Sequence, residues 1–322
     1  MKLSVIIVSW NVRDDVLACL ESLYKNPPSR ASEIIVVDNA STDGTVDAVK
    51  RDFPEVVTVT NSENRGFAAA NNQGIEKSRG EYILFLNPDT IVHPNSLDVL
   101  VNLMDDNKDA GACGPKLLDS DGTTCLSVGW VPTFRAVLYG KTVFRPLGIF
   151  RGHYKKLRTD DFNYDKQTDV EQLSGAALMV RLSVIEEVGP MDESFFMYYE
   201  DADLCLRIRK AGWRIVYVPE SVITHIGGKS SAQVSAKKRI MVYSSLLTYF
   251  RKHRGRFATG LFAFVFKPGV IVRDILNIFS GTISFIIFVL LFDQRKRLKS
   301  SEKIKNSIMF LGKYSSQFLF KI

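Results

Sequence analysis

The first 110 residues alternate between short apolar runs and segments with helical spacing. The runs LSVIIVSW, EIIVVD, VVTVT and EYILFLN have the length and β-branched content of buried strands. Helical spacing is found in VLACLESLYK, over residues 66–78 and over about 94–107. This alternation predicts an α/β fold with a mostly parallel central sheet flanked by helices.

Polar residues lie at the carboxyl ends of three of the predicted strands. They are Ser9 near the end of the first run, Asp38 at the end of EIIVVD with Asn39 after it, and Asp89 after EYILFLN. Ligands of open parallel sheets bind at the carboxyl ends of the strands, so these side chains form a candidate site. The sequence lacks G-x-G-x-x-G after the first strand and lacks G-x-x-x-x-G-K-[ST], which disfavours dinucleotide-binding and P-loop proteins.

Two residues near strand ends are candidate metal ligands. The carboxylate of Asp89, in Asn87-Pro88-Asp89, can bind a divalent cation that neutralises a diphosphate. The same tripeptide is an equally good turn sequence, and that interpretation stays open. His225 ends the strand-like RIVYVPESVITH, and it is a candidate ligand only if it lies near Asp89.

Three carboxylates, those of Glu200, Asp201 and Asp203, follow the aromatic run FFMYY. Acidic residues in this position are typical of a helix N-terminus, where they complement the helix dipole. On a helix, Glu200 and Asp203 share a face while Asp201 points elsewhere. One carboxylate can then act as a general base while another binds an acceptor hydroxyl.

The C-terminal part of the chain differs in charge from the rest. Residues 229–322 hold 18 of the 42 Lys and Arg residues but only 3 of the 35 Asp and Glu residues. We therefore predict two domains, a catalytic domain over 1–228 and a helical, membrane-associating region over 229–322. The uncharged stretch 275–292 favours a membrane surface over nucleic acid as the partner of the basic charge.

This stretch is diluted by polar residues, so an in-plane or re-entrant helix is favoured over a membrane span. A buried helix or a homodimer contact is the alternative, which leaves a homo-oligomer open. The opening apolar run is too short for a signal peptide, and we expect the protein at the cytoplasmic face of the cell membrane. The four cysteines have no metal-type spacing.

Seven segments together resemble the family-two glycosyltransferases of the GT-A fold, in particular the bacterial rhamnosyltransferase-like group that extends lipid-linked cell-surface glycans. They cover about residues 1–228 and are SVIIVSWN, EIIVVDNASTDGT, NRGFAAANNQG, YILFLNPDT, LSGAALMVR, MDESFFMYYEDADLCLRIRKAGWRIVYVP and HIGGKS. The resemblance implies an inverting transfer of a sugar, with rhamnose a candidate, from a nucleotide-diphosphate donor to a polyprenyl-linked or glycan acceptor.

The resemblance also implies roles for individual residues. Asp201 is the catalytic base, Glu200 and Asp203 bind the acceptor, Ser9, Asp38, Asn39 and Arg65 bind the nucleotide, and Asp89 and His225 bind a divalent metal, Mg²⁺ or Mn²⁺. The chain departs from the widespread family pattern at Asn87, which replaces the first of two acidic residues in the metal motif.

Two other classes of function remain as alternatives. A sugar nucleotidyltransferase shares the nucleotide-binding sheet and the metal, but it should carry a Gly-rich loop with a basic residue after the first strand. Trp10-Asn11-Val12 stands there instead. A catalytically inactive, membrane-bound protein that binds a sugar nucleotide is the second alternative, and the presence of both Asp89 and Asp201 disfavours it.

Overall fold

The structure is a computed structural model that describes residues 1–158, 162–227, 235–290 and 293–322. The chain forms two compact units, Met1–Val131 with Arg158–Ser230, and Pro132–Leu157 with Ser231–Ile322. Residues 132–157 therefore join the C-terminal helices in one unit. The domain boundary predicted at residue 228 lies outside the described residues.

Helices and strands are labelled in chain order. They are β1 (Leu3–Ser9), α1 (Arg13–Lys25), β2 (Ser32–Asp38), α2 (Thr45–Asp52), β3 (Val57–Thr60), α3 (Phe67–Lys77), β4 (Tyr82–Leu86), β5 (Thr90–Val92), α4 (Ser96–Asp106), β6 (Ala110–Leu118), β7 (Val128–Gly129), α5 (Phe134–Lys141), α6 (Arg151–Arg158), β8 (Thr168–Asp169), β9 (Gln172–Leu173), β10 (Ala177–Arg181), α7 (Leu182–Val188), α8 (Glu200–Lys210), β11 (Arg214–His225), α9 (Ser235–Arg254), α10 (Arg256–Leu290), α11 (Gln294–Met309), a π-helical turn (Phe310–Tyr314) and α12 (Ser315–Phe320).

Within the described residues, the first unit is built on a nine-stranded sheet. Its strand order is β3-β2-β1-β4-β10-β6-β11-β5, and β8 also pairs with β11. β1 is parallel to β2 and β4, and β6 is parallel to β11, whereas β10 is antiparallel to both β4 and β6. A mostly parallel sheet flanked by helices is confirmed.

The sheet is covered on both faces, which explains the continuous apolar runs of its strands. All seven residues of β1 are buried. Val5 and Ile7 pack with α1 and α4 on one face, while Ile6 and Val8 pack with α3, α7 and α8 on the other. Successive side chains of a strand point to opposite faces, so the apolar side chains of β1 are divided between the two cores.

The predicted helices over 66–78 and about 94–107 correspond to α3 and α4, with ends displaced by one or two residues. In the described part of the region 115–170, which has weak periodicity, the elements that follow β6 are short, from β7 to β8. Elements of two to eight residues are too short to produce a recognisable repeat of apolar positions.

The second unit is helical. Its longest element is α10, whose 35 residues include the uncharged stretch from residue 275 to Leu290 and continue back through Pro268 to Arg256. The end of that stretch, 291–292, lies outside the described residues. Among the described helices, one segment, Arg256–Ile287, is long and apolar enough to cross a membrane, judged by length and composition alone.

α10 has a buried face and an exposed apolar face. Phe262, Phe266, Val270 and Asp274 recur every four residues and are buried within the second unit. The opposite face carries apolar side chains that remain exposed, namely Phe257, Leu261, Phe264, Val265, Val272, Ile275, Leu276, Phe279, Ile283, Ile286, Ile287 and Leu290. Such a continuous apolar surface is uncommon on soluble monomers.

Candidate active site

The candidate residues of the first unit gather at one edge of the sheet. In the β1–β2 ladder Ser9 pairs with Asp38, so the carboxyl ends of these parallel strands coincide. β10 runs the other way, and its first residue, Ala177, pairs with Leu86 at the end of β4. The amino end of β10 therefore meets the carboxyl ends of β1, β2 and β4.

Ser9 and Asp38 present buried oxygen atoms without a partner. Both side chains are essentially inaccessible, with exposed fractions of 0% and 1%. One carboxylate oxygen of Asp38, Oδ2, accepts a hydrogen bond of 2.8 Å from the Ser41 amide. The other oxygen, Oδ1, and the Ser9 hydroxyl have no partner among the described residues. Since buried polar atoms are normally hydrogen-bonded, this pair suits a ligand that donates and accepts hydrogen bonds.

The side chain of Asn39 is hydrogen-bonded to the loop that carries Arg65. Its Nδ2 donates to the Gly66 carbonyl at 3.0 Å, and its Oδ1 accepts from Asn61 Nδ2 at 2.9 Å and from the Arg65 amide at 3.4 Å. The Arg65 side chain is exposed. Asn39 thus orders the loop, while the Arg65 guanidinium remains available to a ligand.

Gly66 packs directly against the segment that precedes α8. Its φ is +88°, and the Phe67 amide donates a 2.7 Å hydrogen bond to the Phe196 carbonyl. A Cβ atom at Gly66 would lie 2.6 Å from that carbonyl oxygen. Only glycine tolerates both the positive φ and this contact, so the loop at 64–66 and the aromatic segment before α8 are held together.

Asp89 and His225 form a close pair. His225 Nε2 lies 3.2 Å from Asp89 Oδ1, and the two side chains are 24% and 16% exposed. The strands hold them in place, because His225 pairs with Thr90 in the β11–β5 ladder and the Ile226 amide donates to the Asp89 carbonyl at 2.9 Å. Asn87 Nδ2 lies 3.4 Å from the same imidazole nitrogen.

Asp201 lies at the same edge of the sheet. Its Oδ2 accepts from the Gly175 amide at 3.0 Å and its Oδ1 from the Ala202 amide at 2.7 Å. The neighbouring Ala176 carbonyl accepts from the Asn87 amide at 2.9 Å. The amide of Gly175 and the carbonyl of Ala176 thus connect the Asp201 carboxylate to the strand end that carries the metal motif.

Glu200 is buried beside Asp201. Burial, and then the charge of Asp201, raise the pKa of Glu200 well above its usual range. Burial also raises the pKa of Asp201, although the Gly175 and Ala202 amides oppose this by stabilising its ionised form. Glu200 Oε2 has no described partner. The pKa of each carboxyl group is thus raised, and the two backbone amides favour the ionised form at Asp201.

The backbone before these carboxylates is strained. Tyr198 and Tyr199 have φ of +71° and +70°, a region that residues other than glycine seldom adopt. Tyr199 is the N-cap of α8, so this geometry sets the direction in which Glu200 and Asp201 enter the helix. Backbone strain of this kind clusters at functional sites.

Asp203 lies on α8 but has different surroundings. It is fully buried, and its Oδ2 accepts a 2.8 Å hydrogen bond from Arg207 Nε. The Arg207 guanidinium also donates to the carbonyls of Val188, Gly189 and Pro190 at 2.7 to 2.8 Å. Asp203 thus anchors α8 to the segment after α7, and this network favours a positioning role over contact with an acceptor.

Sequence reasoning had not singled out Gly175 or Phe196 as site residues. Gly175 donates to the proposed base, and Phe196 connects the Arg65 loop to α8. The dipeptide Ser174-Gly175 is a weak turn signal, because it stands just before the apolar run that forms β10. Nothing in the sequence indicates the contact between Phe196 and Gly66, which lie 130 residues apart.

The Asp89–His225 pair offers one carboxylate and one imidazole to a metal ion. Among the described residues there is no cluster of three or more His, Cys, Asp or Glu side chains that could hold a metal, and the four cysteines are free thiols. Divalent cations that act on phosphates are commonly bound by one or two protein ligands together with phosphate oxygens and water. The pair fits that arrangement, with phosphate supplying the remaining ligands.

Known proteins resemble this chain in sequence and in fold. Residues 4–163 match the model of the family described as Glycosyl transferase family 2. The N-acetylglucosaminyl-diphospho-decaprenol L-rhamnosyltransferase of Mycobacterium tuberculosis is 34% identical over 225 residues, which cover 65% of this chain and 70% of the relative. The dTDP-rhamnosyl transferase RfbF of Shigella flexneri is 26% identical, covering 76% of both chains.

Among solved structures, the mannosyltransferase PcManGT from Pyrobaculum calidifontis in complex with GDP-Man and Mn²⁺ superposes with a TM-score of 0.55. The match covers 96% of this chain and 87% of that one at 17% identity. This likeness shows the GT-A fold. The chain belongs to the family-two glycosyltransferases and to their rhamnosyltransferase-like group. It is a glycosyltransferase that uses a nucleotide-sugar donor, and neither alternative function gains support.

Proposed function

We propose that this protein transfers a sugar, rhamnose, from a pyrimidine nucleoside-diphosphate donor to a hydroxyl group of a polyprenyl-linked or cell-surface glycan, with inversion at the anomeric carbon. The observation that carries the proposal is the pair of backbone contacts that joins the Asp201 carboxylate, through residues 175–176, to the strand end bearing Asn87. The relatives in M. tuberculosis and S. flexneri are both named for transfer of rhamnose.

The donor base lies against Ser9 and Asp38 in this proposal. Asp38 Oδ1, buried and without a described partner, accepts a hydrogen bond from the N3–H of a uracil or thymine ring, and the Ser9 hydroxyl completes the contact. The exposed Arg65 guanidinium then reaches the nucleotide, while Asn39 holds its loop in place. A purine base offers a different pattern of donors and should bind more weakly.

Asp89 and His225 are the residues that would hold a divalent metal, for which Mn²⁺ or Mg²⁺ is proposed. Their separation of 3.2 Å lets both side chains contact one ion. When bound, the ion compensates the negative charge that develops on the leaving diphosphate. Asn87 Nδ2 lies 3.4 Å from the same imidazole nitrogen, Nε2, so this contact would give way when that nitrogen binds the ion.

Asp201 acts as the general base. The acceptor oxygen forms its bond to the anomeric carbon as the bond from that carbon to the phosphate oxygen breaks, and the nucleoside diphosphate leaves with the electron pair. Asp201 takes the proton of the acceptor hydroxyl. Burial raises the pKa of Asp201 and so brings its basicity closer to that needed near neutral pH. Protonated Glu200 can donate a hydrogen bond to the acceptor, and Asp203 fixes α8 through Arg207.

The second unit brings the enzyme to its lipid-linked acceptor by lying on the membrane. Support comes from the exposed apolar face of α10 and from α11, which packs beside it: Lys303 Nζ donates to Ser280 Oγ at 3.0 Å. α11 exposes cations that suit an anionic leaflet, namely Arg295, Lys296, Lys299, Lys303 and Lys305. The membrane surface proposed is the cytoplasmic one, where nucleotide sugars are available.

The test is a transfer assay with the full-length protein and a panel of nucleotide sugars, with Mn²⁺, with Mg²⁺ and with neither. Pyrimidine donors carrying rhamnose should give product with the inverted anomeric configuration, read by nuclear magnetic resonance. Asp38→Asn should weaken donor binding about tenfold, or about 1.4 kcal/mol, with less effect on turnover at saturating donor. A product that retains configuration, or a preference for purine donors, would contradict the proposal.

A further inference from the structure

In the second unit, two arginines contact Tyr243: Arg273 reaches its hydroxyl and the Arg239 guanidinium lies 5.7 Å from its ring centroid. Arg239 of α9 forms a two-point contact with Asp274 of α10, at 3.1 and 2.5 Å. Arg273 Nη2 donates to the Tyr243 hydroxyl at 3.1 Å. A third cation is Lys141, the last residue of α5, which α10 holds in place: Thr142 packs against Gly269, and the Val143 amide donates to the Gly269 carbonyl at 3.2 Å. Tyr243 and both arginines affect the pKa of Lys141. We call Lys141, Arg239 and Arg273 the cation cluster.

The charges of the cation cluster are not balanced by the described residues. Asp274 is the one described carboxylate that pairs with either arginine, and Lys141 pairs with none. Asp274 is already occupied, because its Oδ1 also accepts from Ser307 Oγ at 3.2 Å. Three positive charges thus face one negative charge.

Hydrogen-bond donors are also left over. The Nε atoms of Arg239 and Arg273 are both buried without a described acceptor. Arg239 cannot easily turn away, since its guanidinium carbon lies 4.0 Å from the ring centroid of Phe310 and its fork is held by Asp274. Buried donors of charged groups are costly when they lack acceptors, so an anion would stabilise this arrangement.

The pKa values of Lys141 and Tyr243 are shifted in the directions that an excess of positive charge produces. Burial, together with Arg273 and Arg239, lowers the pKa of Lys141 despite the opposing effect of Tyr243. Burial alone would raise the pKa of Tyr243, but the two arginines outweigh it and lower that pKa. Both shifts have the direction expected where cations outnumber nearby anions.

We propose that the cation cluster, with the Tyr243 hydroxyl, is a binding site for a phosphate group, supplied either by a lipid headgroup or by a soluble phosphate compound. A phosphate dianion matches the net charge of about +2 that the cluster leaves uncompensated. Guanidinium groups bind phosphate oxygens with paired hydrogen bonds, and the side chains of Arg239 and Arg273 each remain 21% exposed, which leaves a route for contact.

The first experiment measures binding of inorganic phosphate and of pyrophosphate to the full-length protein in detergent by titration calorimetry. Saturating UDP is present throughout, so that the proposed nucleotide site at Ser9 and Asp38 is occupied. Lys141→Gln, which removes a cation with no described carboxylate partner, should weaken binding about tenfold. Lys155→Gln removes an exposed cation from the neighbouring α6 and should leave the affinity unchanged.

Arg273→Gln is a second variant, read together with its melting temperature because Arg273 lies in the packed part of α10. It should reduce phosphate binding at least as much as Lys141→Gln. If neither variant changes the affinity relative to Lys155→Gln, phosphate binds elsewhere and the proposal is overturned. Absence of any phosphate binding to the wild-type protein would overturn it equally.

A second arm separates the two sources of phosphate. The same proteins are floated with vesicles of phosphatidylcholine alone or with added phosphatidic acid, whose headgroup is a phosphate monoester. If Lys141→Gln reduces binding to the phosphatidic acid vesicles more than Lys155→Gln does, the site takes a lipid headgroup. If the two variants differ only with free phosphate or pyrophosphate, the site takes a soluble phosphate compound.

Discussion

The role of Asp201 can be tested by Asp201→Asn, which preserves the shape of the side chain but removes its basicity. A positioned general base contributes about 10²–10⁴ to the rate, so turnover at saturating substrates should fall by at least about 10². The donor site at Ser9 and Asp38 makes no described contact with Asp201, so the donor Kd should stay within about twofold of wild type.

The structure also predicts a cost in stability for the same change. The Asp201 carboxylate accepts from the Gly175 and Ala202 amides at 3.0 and 2.7 Å. An asparagine has one acceptor oxygen, so one of these N–H groups would face an NH₂ group and lose its partner. The unfolding free energy should fall by about 1–3 kcal/mol, measured by denaturant titration. Asp47→Asn, a carboxylate exposed in the first turn of α2, is the matched control and should change neither quantity.

The pH profile gives a further readout. Asp201 must be ionised to accept a proton, so wild-type turnover should rise as pH rises through its pKa. Burial raises that pKa above the ordinary value of 3.8, which moves the rise to higher pH. The residual turnover of Asp201→Asn should lack this rise. Turnover within about threefold of wild type in the variant would refute Asp201 as the base.

Three further changes test other parts of the structure. Gly66→Ala places a Cβ 2.6 Å from a backbone carbonyl oxygen, whereas Gly122, with a similar positive φ, has open space around it. Gly66→Ala should therefore lower the unfolding free energy by about 2 kcal/mol more than Gly122→Ala does. Equal losses of unfolding free energy would contradict the contact at Gly66. The pKa of Glu200 is raised above its ordinary value of 4.5, so the folded state retains a proton at a pH where the unfolded state has lost it. The melting temperature of the wild type should therefore fall relative to that of Glu200→Gln as pH rises from about 4.5. A difference in melting temperature that does not change with pH would contradict the raised pKa. The double variant Phe264→Ser with Phe279→Ser changes two side chains of α10 that are 81% and 65% exposed. It should reduce flotation with anionic vesicles without lowering the melting temperature. Unchanged flotation would exclude the exposed face of α10 as the membrane contact.

Much of the first unit could be predicted from local patterns. Strands such as β1 and β4 are buried on both faces, and this leaves uninterrupted apolar runs that end at a polar residue. The parallel arrangement of β1, β2 and β4 then implies that Ser9, Asp38 and the residues after Leu86 lie at one edge. These inferences need only the burial of each strand and the direction of its neighbours.

The roles of individual carboxylates could not be separated in this way. Glu200, Asp201 and Asp203 lie within four residues, yet their surroundings differ. Glu200 is buried with a raised pKa, Asp201 is held by two backbone amides, and Asp203 is paired with Arg207. These differences arise from partners on other elements, such as Gly175 in the turn before β10. A sequence pattern records the local period of burial but carries no information about which distant group a side chain meets.

The sequence by itself determined the alternation of strands and helices over about the first 110 residues, the polar residues at the strand ends and the basic, apolar character of the C-terminal region. Only the tertiary structure decided that β10 enters the sheet antiparallel beside β4 and so brings Gly175 and Asp201 to the strand end bearing Asn87. It also decided that α5 joins the C-terminal helices and completes the cation cluster. The physical reason is that apolar periodicity follows from local burial, whereas strand order, register and charge pairing depend on contacts between residues far apart in the chain.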